Sequence, residues 1–167
     1  MAKSLLCTDK EIAEIYERHN KTVYRVCFAY MKNTADTEDV VQDTFYKMIT
    51  SGVAFNDTEH EKAWLIRTAG NLCKNELRHW WRKRENVEDY ENLQANNTID
   101  IDDTFSVVMS LPDKYKTVIY LYYYEGYDSV EISKILKKPQ STIRNYLHEA
   151  RNVLKGKLSK GGNFDEE

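Results

Sequence analysis

The sequence predicts an all-α protein with two small helical domains, and three observations lead to that prediction. The chain has 167 residues, of which only six are Gly and two are Pro, so little interrupts long helices. Apolar residues recur at helical spacing in runs separated by short breaks. Charge is partitioned: residues 64–84 hold six Lys/Arg and one Glu, residues 86–103 hold six acids and no Lys or Arg, and residues 113–160 hold ten bases and five acids. Two basic blocks joined by an acidic segment indicate two domains and a flexible linker, a pattern that the net charge of −3 conceals.

The first half of the chain reads as three helices. Thr8 and Glu11 have the spacing of a capping box at the start of the first helix, which extends to residue 32. His19 lies on its apolar stripe, where a buried histidine with satisfied hydrogen bonds is expected rather than a metal ligand. The second helix spans residues 35–50, with an apolar face of Val41, Phe45, Met48 and Ile49.

An acidic cluster on the second helix has three possible interpretations. It contains Asp36, Glu38, Asp39 and Asp43, with Gln42 among them. Carboxylates in a first helical turn are favoured by the helix dipole. They also suit a divalent metal in a nuclease-like site, although no second set of ligands and no nucleophile is nearby. The third interpretation is a face that binds a basic protein partner.

The third helix is predicted over residues 59–84, with Thr58 and Glu61 as a capping box. In the loop before it, Phe55 either stacks on a nucleic-acid base or packs onto the core, and the sequence leaves both open. One strip of the helix carries Trp64, Arg67, Asn71, Lys74, Asn75 and Arg78. Cations that neutralise phosphate, amides that read base edges and an aromatic that stacks are typical of a nucleic-acid interface. The alternative is a solvated helix face.

Residues 86–102 are acidic, lack apolar periodicity and are predicted to be the linker. Helices are expected at residues 104–110 and 113–125, followed by a stop at Gly126. Asp128 and Glu131 then have capping-pair spacing at the start of a helix-turn-helix over residues 129–154. The tail, residues 159–167, is expected to be disordered.

The second helix of the helix-turn-helix begins after Pro139 and has a polar outer face. The face contains hydrogen-bonding and cationic groups of the kind that contact bases and phosphates in a major groove. They are Ser141, Thr142, Arg144, Asn145, His148 and Arg151. A helical hairpin with a solvated polar face is the alternative.

The remaining composition argues against several classes of protein. Cys7, Cys27 and Cys73 are far apart, and no two histidines have metal-ligand spacing, so neither a disulfide framework nor a zinc site is expected. No apolar run approaches the roughly 20 residues needed to cross a bilayer. We expect no catalytic residues, metal, cofactor, small-molecule substrate or membrane insertion, and a cytoplasmic location.

Three blocks together resemble bacterial RNA polymerase sigma factors, in the compact form of the extracytoplasmic-function (ECF) group. The blocks are ADTEDVVQDTF at residues 35–45, AWLIRTAGNLCKNELR at residues 63–78, and LPDKYKTVIYLYYYEGYDSVEISKILKKPQSTIRNYLHEARNVL at residues 111–154. The resemblance covers nearly the whole chain. It departs from the usual pattern at the helix-turn-helix turn, where Lys137, Lys138 and Pro139 replace Gly-Ile-Ser.

The resemblance implies a role for each surface. The core-polymerase docking site would be Asp39, Gln42 and Asp43. The site that reads and melts the promoter −10 element would comprise Phe55, Asn56, Trp64, Arg67, Asn71, Lys74, Asn75 and Arg78. The −35 reader would comprise Gln140, Ser141, Thr142, Arg144, Asn145, His148 and Arg151.

The same resemblance implies a domain layout and partners. Residues 1–85 correspond to sigma domain two and residues 103–158 to sigma domain four. The expected function is to bind core RNA polymerase, direct it to promoter DNA and assist promoter opening. An anti-sigma factor is a further expected partner. The alternative function is a free-standing helix-turn-helix transcriptional regulator, and the third, enzymatic possibility is a metal-dependent nuclease.

Overall fold

A computed structural model describes residues 8–83 and 103–161, and every element in these ranges is an α-helix. The helices are α1 (Asp9–Met31), α2 (Thr34–Ser51), α3 (Thr58–Lys83), α4 (Asp103–Ser110), α5 (Asp113–Tyr123), α6 (Ser129–Leu136) and α7 (Gln140–Gly161). The chain divides between residues 100 and 101 into two compact units. The all-α prediction is confirmed, whereas the predicted linker at residues 86–102 lies outside the described residues.

The N-terminal unit is a three-helix arrangement in which α1, α2 and α3 each pack on the other two. Its core includes Val23, Phe28, Leu65, Ile66 and Ala69, which are at most 2% exposed. Burying one large apolar side chain stabilises a fold by about 1.5–3 kcal/mol, so this core holds the three helices in fixed relation. The reciprocal Thr8–Glu11 capping box is present as predicted, and His19 is buried as expected.

Two local predictions in this unit are wrong. The Oδ1 atom of Asp57, not Thr58, accepts the backbone N–H of His60 at 2.8 Å and caps α3. The carboxylate of Glu61 is unavailable for capping because Arg18 and His19 of α1 bind it. The second wrong prediction is the position of Ile49, which is 43% exposed. Other residues, including Val40 and Thr44, form the buried face of α2.

The C-terminal unit is organised around α5, which packs on α4, α6 and α7. Phe105, Tyr120, Leu121, Ile132 and Ile143 form its core and are at most 1% exposed. Gly126 has φ +79°, a left-handed conformation that favours glycine, and it separates α5 from the helix-turn-helix. The predicted Asp128–Glu131 capping box is present at the start of α6.

The last helix is longer than the sequence predicted. Helix α7 continues to Gly161, so residues 159–161, which were assigned to a disordered tail, are helical. Residues 162–167 lie outside the described part of the chain. No described helix combines the length and apolar character required to cross a membrane.

Candidate protein-binding and nucleic-acid interfaces

The predicted docking residues lie together on the exposed side of α2. Asp39, Gln42 and Asp43 are all exposed and recur at helical spacing. The same line continues with Tyr46, which is 67% exposed, and Ile49, which is 43% exposed. We call these five residues the α2 face. Tyr46 was missed from the sequence because an aromatic beside the core residue Phe45 reads as part of the core.

The acidic residues do not form a metal site. Asp36, Asp39, Asp43 and Glu76 border a cavity of about 220 Å³ between α2 and α3. Among the described residues, however, no three His, Cys, Asp or Glu side chains are grouped so that they could hold a metal ion. The Asp36 carboxylate has a structural role instead, since its Oδ2 accepts a hydrogen bond at 2.9 Å from Nδ2 of Asn33, the residue that caps α2. Among the residues that the structure describes, the cluster therefore lacks the grouping of ligands that a metal-dependent nuclease would need.

The loop between α2 and α3 is attached to the first turn of α3. Phe55 is half-buried, and its ring packs edge-on against the rings of His60 and Trp64, with centroid distances of 5.3 and 5.8 Å. The backbone N–H of Asn56 donates to Nδ1 of His60 at 3.1 Å. Phe55 thus packs against α3 and still retains accessible surface. It lies next to Trp64, an aromatic of the predicted reading strip.

The reading strip on α3 is a continuous polar face. Asn71, Asn75 and Arg78 are exposed, while Trp64, Arg67 and Lys74 are half-buried. The guanidinium of Arg78 donates to Oδ1 of Asn75 at 2.6 Å, so these two side chains present a joined group. The opposite face of α3 is fully buried at Leu65, Ile66 and Cys73, which fixes the direction in which the strip points.

A cluster of charged side chains behind the loop was not predicted. Glu61 is 8% exposed and accepts hydrogen bonds from Arg18 of α1, and its Oε1 lies 3.0 Å from Nε2 of His19. The sequence shows a histidine on a predicted apolar stripe and an acid in a predicted capping box, and nothing in it pairs the two.

The helix-turn-helix turn contains an uncommon backbone conformation. Lys137 has φ +60°, a left-handed conformation in which glycine is usual at the end of a helix. The backbone N–H of Lys138 donates to the carbonyl of Ser133 at 3.1 Å, and the carbonyl of Pro139 accepts from Thr142 and Ile143. The turn therefore closes α6 and opens α7 with local hydrogen bonds.

The residues predicted to read the −35 element differ in their exposure and in their contacts within the unit. Ser141, Arg144, Asn145 and His148 are exposed on the side of α7 opposite the buried Ile143 and Leu147. Two others are engaged within the unit: Gln140 donates to Oγ of Ser129 at 3.2 Å, and Nε of Arg151 donates to the hydroxyl of Tyr123 at 3.4 Å. Thr142 is half-buried.

Arg151 also interacts with an aromatic ring, since its guanidinium lies 5.6 Å from the ring centroid of Tyr122. The hydrogen bond to the Tyr123 hydroxyl raises the pKa of Arg151 above its ordinary value. Arg151 is thus held by α5. The sequence shows only that Arg151 lies on the polar face of its helix, which does not reveal these contacts.

A second missed contact joins α5 to α7. The hydroxyl of Tyr115 donates to Oε1 of Glu149 at 2.7 Å, and its ring packs edge-on against Tyr146 with a centroid distance of 5.5 Å. The hydrogen bond to Glu149 raises the pKa of Tyr115 above its ordinary value. This contact engages the carboxylate of Glu149 on α7, the helix predicted to read the −35 element.

Both units match families of known proteins. Residues 15–83 match Sigma-70 region 2, and residues 106–154 match Sigma-70, region 4. The first match contains α2, the loop and the α3 strip, and the second contains the helix-turn-helix.

Several curated proteins are similar along most of their length. The ECF RNA polymerase sigma factor SigW of Bacillus subtilis is 26% identical, with 87% of this chain and 88% of SigW covered. The RNA polymerase sigma factor SigV of the same organism is 27% identical, with 85% and 87% covered. The ECF RNA polymerase sigma-E factor of Haemophilus influenzae is 27% identical, with 95% and 98% covered.

A solved structure shares the fold. The sigma factor RpoE of Bartonella quintana, crystallised in complex with the anti-sigma factor NepR, superposes with a TM-score of 0.65 at 18% identity. The alignment covers 88% of this chain and 96% of that one. Together with the two regional matches, these relationships show that the chain belongs to the sigma-70 family, as a sigma factor of the ECF type.

Proposed function

We propose that this protein binds core RNA polymerase, directs it to specific promoters through their −10 and −35 elements, and assists promoter opening. The observation that carries the proposal is the presence of two exposed polar reading faces, one on each unit, in the regions that match sigma-70 regions 2 and 4. The protein would supply specificity and no catalysis. Residues 1–85 and 103–158 would act as sigma domains two and four.

The α2 face is the proposed docking site for core polymerase. It combines carboxylates at Asp39 and Asp43 with the amide of Gln42 and the exposed side chains of Tyr46 and Ile49. Protein interfaces typically have apolar and aromatic anchors surrounded by polar groups, and complementary charge increases the rate of encounter. This composition favours a partner surface that is basic at one end and apolar at the other.

The loop and the α3 strip are the proposed −10 site. Arg67, Lys74 and Arg78 would neutralise phosphates, while Asn71 and Asn75 supply amides for base edges. Melting exposes unstacked bases, and a base stacked on an aromatic gains about 1–3 kcal/mol. Phe55 and Trp64 lie side by side at the start of the strip, with Asn56 exposed beside them, and are placed to hold such a base.

The exposed side of α7 is the proposed −35 site. Arg144, Asn145 and His148 would enter the major groove, where side-chain donors and acceptors distinguish base pairs. Gln140 and Arg151 form hydrogen bonds within the unit and Thr142 is half-buried. We therefore expect these three residues to contribute less to base contacts than the exposed ones.

The proposal also includes partners and location. The structural relative was crystallised with an anti-sigma factor, and we propose that a protein of that class binds this chain as well. Because promoter DNA is the proposed target, the protein would act in the cytoplasm. A free-standing transcriptional regulator remains distinguishable from a sigma factor because it would bind its operator tightly without polymerase.

The decisive experiment uses the purified chain with core RNA polymerase and promoter templates. Addition of the chain is expected to produce run-off transcripts that core polymerase alone does not make. A Gln42→Ala/Asp43→Ala variant should bind core polymerase more weakly while its circular dichroism spectrum remains that of the wild type. Unchanged core affinity in this variant would contradict the docking assignment, and tight specific binding of the chain alone in a gel shift would favour the regulator.

A further inference from the structure

Glu61 is a buried carboxylate that joins two helices. Its Oε1 atom lies 3.2 Å from Nε and 3.0 Å from Nη2 of Arg18, and its Oε2 atom lies 3.2 Å from the same Nη2. Nε2 of His19 is 3.0 Å from Oε1. A carboxylate is strongly unfavourable inside a protein unless it is paired and hydrogen-bonded, and these contacts satisfy it. An ordinary α1–α3 contact is achieved elsewhere by apolar packing, so the charged cluster calls for a specific explanation.

The position of Glu61 connects it to the loop. It lies in the first turn of α3, where its backbone N–H donates to the carbonyl of Asp57 at 3.1 Å. In the same turn, the backbone N–H of His60 donates to the Asp57 side chain, and its ring receives the N–H of Asn56 and the edge of Phe55. Contacts therefore run without a gap from Arg18 and His19 through Glu61 to Phe55.

In the described part of the chain, the loop borders a cavity on the side that faces α1. This cavity of about 390 Å³ separates the two, and it is bordered by Val53, Ala54 and Phe55 from the loop, by Arg18 from α1, and by Glu61. The loop contacts α3 instead, through the hydrogen bond from Asn56 to His60 and the ring contacts of Phe55 with His60 and Trp64. The first turn of α3 is held to α1 through the Glu61 carboxylate.

We propose that Arg18, His19 and Glu61 are positioning residues that hold the 52–57 loop, and Phe55 in particular, in the geometry that selects the −10 sequence. The inference rests on the proposed function, because it concerns how the proposed −10 site discriminates between sequences. These three residues do not contact DNA. They act through the loop, so their loss should impair selectivity at −10 and leave selectivity at −35 intact.

The test compares Glu61→Gln and Arg18→Gln with the control Glu59→Gln. The control makes the same chemical change two residues away, at a side chain that is 67% exposed. Each protein, with core polymerase, transcribes a library of promoter duplexes randomised at the −10 and −35 elements, and the transcripts are sequenced. Selectivity at each element is the enrichment of the preferred sequence, a ratio that does not depend on the fraction of active protein.

Glu61→Gln and Arg18→Gln are expected to lower −10 selectivity by about fivefold or more, since displacements near 1 Å at a reading site have effects of that size or larger. Selectivity at −35 should be unchanged, and Glu59→Gln should match the wild type at both elements. A purely structural role would instead lower the transcript yield with both selectivities preserved. That result, equal losses at both elements, or no change at all would overturn the inference.

Amide hydrogen exchange supplies a second measurement that requires no DNA. Exchange in residues 53–57 should accelerate in Arg18→Gln, which retains the His19–Glu61 contact, and remain unchanged in Glu59→Gln. Unaltered exchange in Arg18→Gln would contradict the positioning role even if Glu61→Gln does not fold. Failure of the proposed function is recognised separately, because the wild-type chain would then enrich no promoter sequence over core polymerase alone.

Discussion

Glu61 and Glu149 are two carboxylates on the two proposed reading helices, and each contacts a neighbouring helix of its own unit. Glu61 is buried and binds a guanidinium and an imidazole of α1, whereas Glu149 is exposed and accepts one hydrogen bond from Tyr115 of α5. Removing a buried charge leaves its partners unpaired in a poorly solvated place, but water replaces a partner at the surface. The proposed N-terminal reading helix is therefore joined to α1 by a buried charged cluster, whereas the proposed C-terminal one is joined to α5 by a hydrogen bond at the surface.

The largest difference between the units should appear when each carboxylate is removed. Glu61→Ala is expected to lower the free energy of unfolding by about 2–3 kcal/mol, which is below the usual loss for a broken buried pair because Arg18 is partly exposed. Glu149→Ala should cost only about 0.5–1 kcal/mol. Chemical denaturation monitored by tryptophan fluorescence reports the first unit, since all three Trp residues lie between residues 64 and 81, and circular dichroism, to which the helices of both units contribute, is used to follow Glu149→Ala. Equal losses in the two variants would contradict the comparison.

A substitution in the exposed α2 face should weaken binding to core polymerase and leave stability nearly unchanged, unlike a substitution in the buried cluster. Tyr46→Ala is expected to weaken binding to core polymerase by about tenfold, because exposed aromatic anchors contribute strongly to interfaces. Its unfolding free energy should change by less than about 0.5 kcal/mol, as is usual at the surface. Titration of fluorescently labelled core polymerase measures the affinity, with Glu17→Ala, at an exposed side chain of α1 outside the α2 face, as the control. A stability loss without an affinity loss would place Tyr46 in the fold and not in the interface.

Two arginines of α7 offer a comparison within the C-terminal unit. Arg144 is exposed and forms no hydrogen bond among the described residues, whereas Arg151 is held by Tyr122 and Tyr123. Arg144→Ala should reduce transcription from promoters with a −35 element, because losing a base contact costs about 1–3 kcal/mol of binding free energy. Stability should not change. Arg151→Ala should lower stability by about 0.5–1 kcal/mol. If a scrambled −35 element suffers the same loss from Arg144→Ala, Arg144 contacts phosphate without reading sequence.

The smallest expected effect concerns the turn of the helix-turn-helix. Lys137 occupies a left-handed conformation that costs a non-glycine residue about 1 kcal/mol. Lys137→Gly relieves that strain but makes the unfolded chain more flexible, so a net gain of no more than about 1 kcal/mol is expected. Thermal unfolding followed by circular dichroism measures it. A clear loss of stability would show that the lysine side chain makes a contact that outweighs the strain.

Local features were predictable from the sequence and long-range pairings were not. The capping boxes at Thr8 and Asp128 were predicted correctly because both partners lie within four residues. The same pattern at Thr58 and Glu61 was misleading, since Glu61 has partners 42 and 43 residues away that compete for its carboxylate. A short-range motif cannot reveal such a competitor.

The predicted reading residues lie on exposed or half-buried faces of α3 and α7, but the contacts of individual side chains needed the structure. Helical periodicity distinguishes the buried side of α7 from the polar side. It cannot show that Arg151 and Gln140 are engaged by α5 and α6, because those contacts depend on how the helices pack. For the same reason, residue type and periodicity place Ile49 on the apolar face of α2, whereas the packing of α2 leaves it 43% exposed.

The central claim is that this chain gives core polymerase a promoter preference that it lacks alone. The most direct measurement is transcription in vitro from fragmented genomic DNA, with core polymerase in the presence and absence of the chain, followed by mapping of the transcript 5′ ends. We expect new start sites that share one −10 and one −35 sequence at a fixed spacing. Start sites identical to those of core polymerase alone, or a chain that does not bind core polymerase, would contradict the central claim.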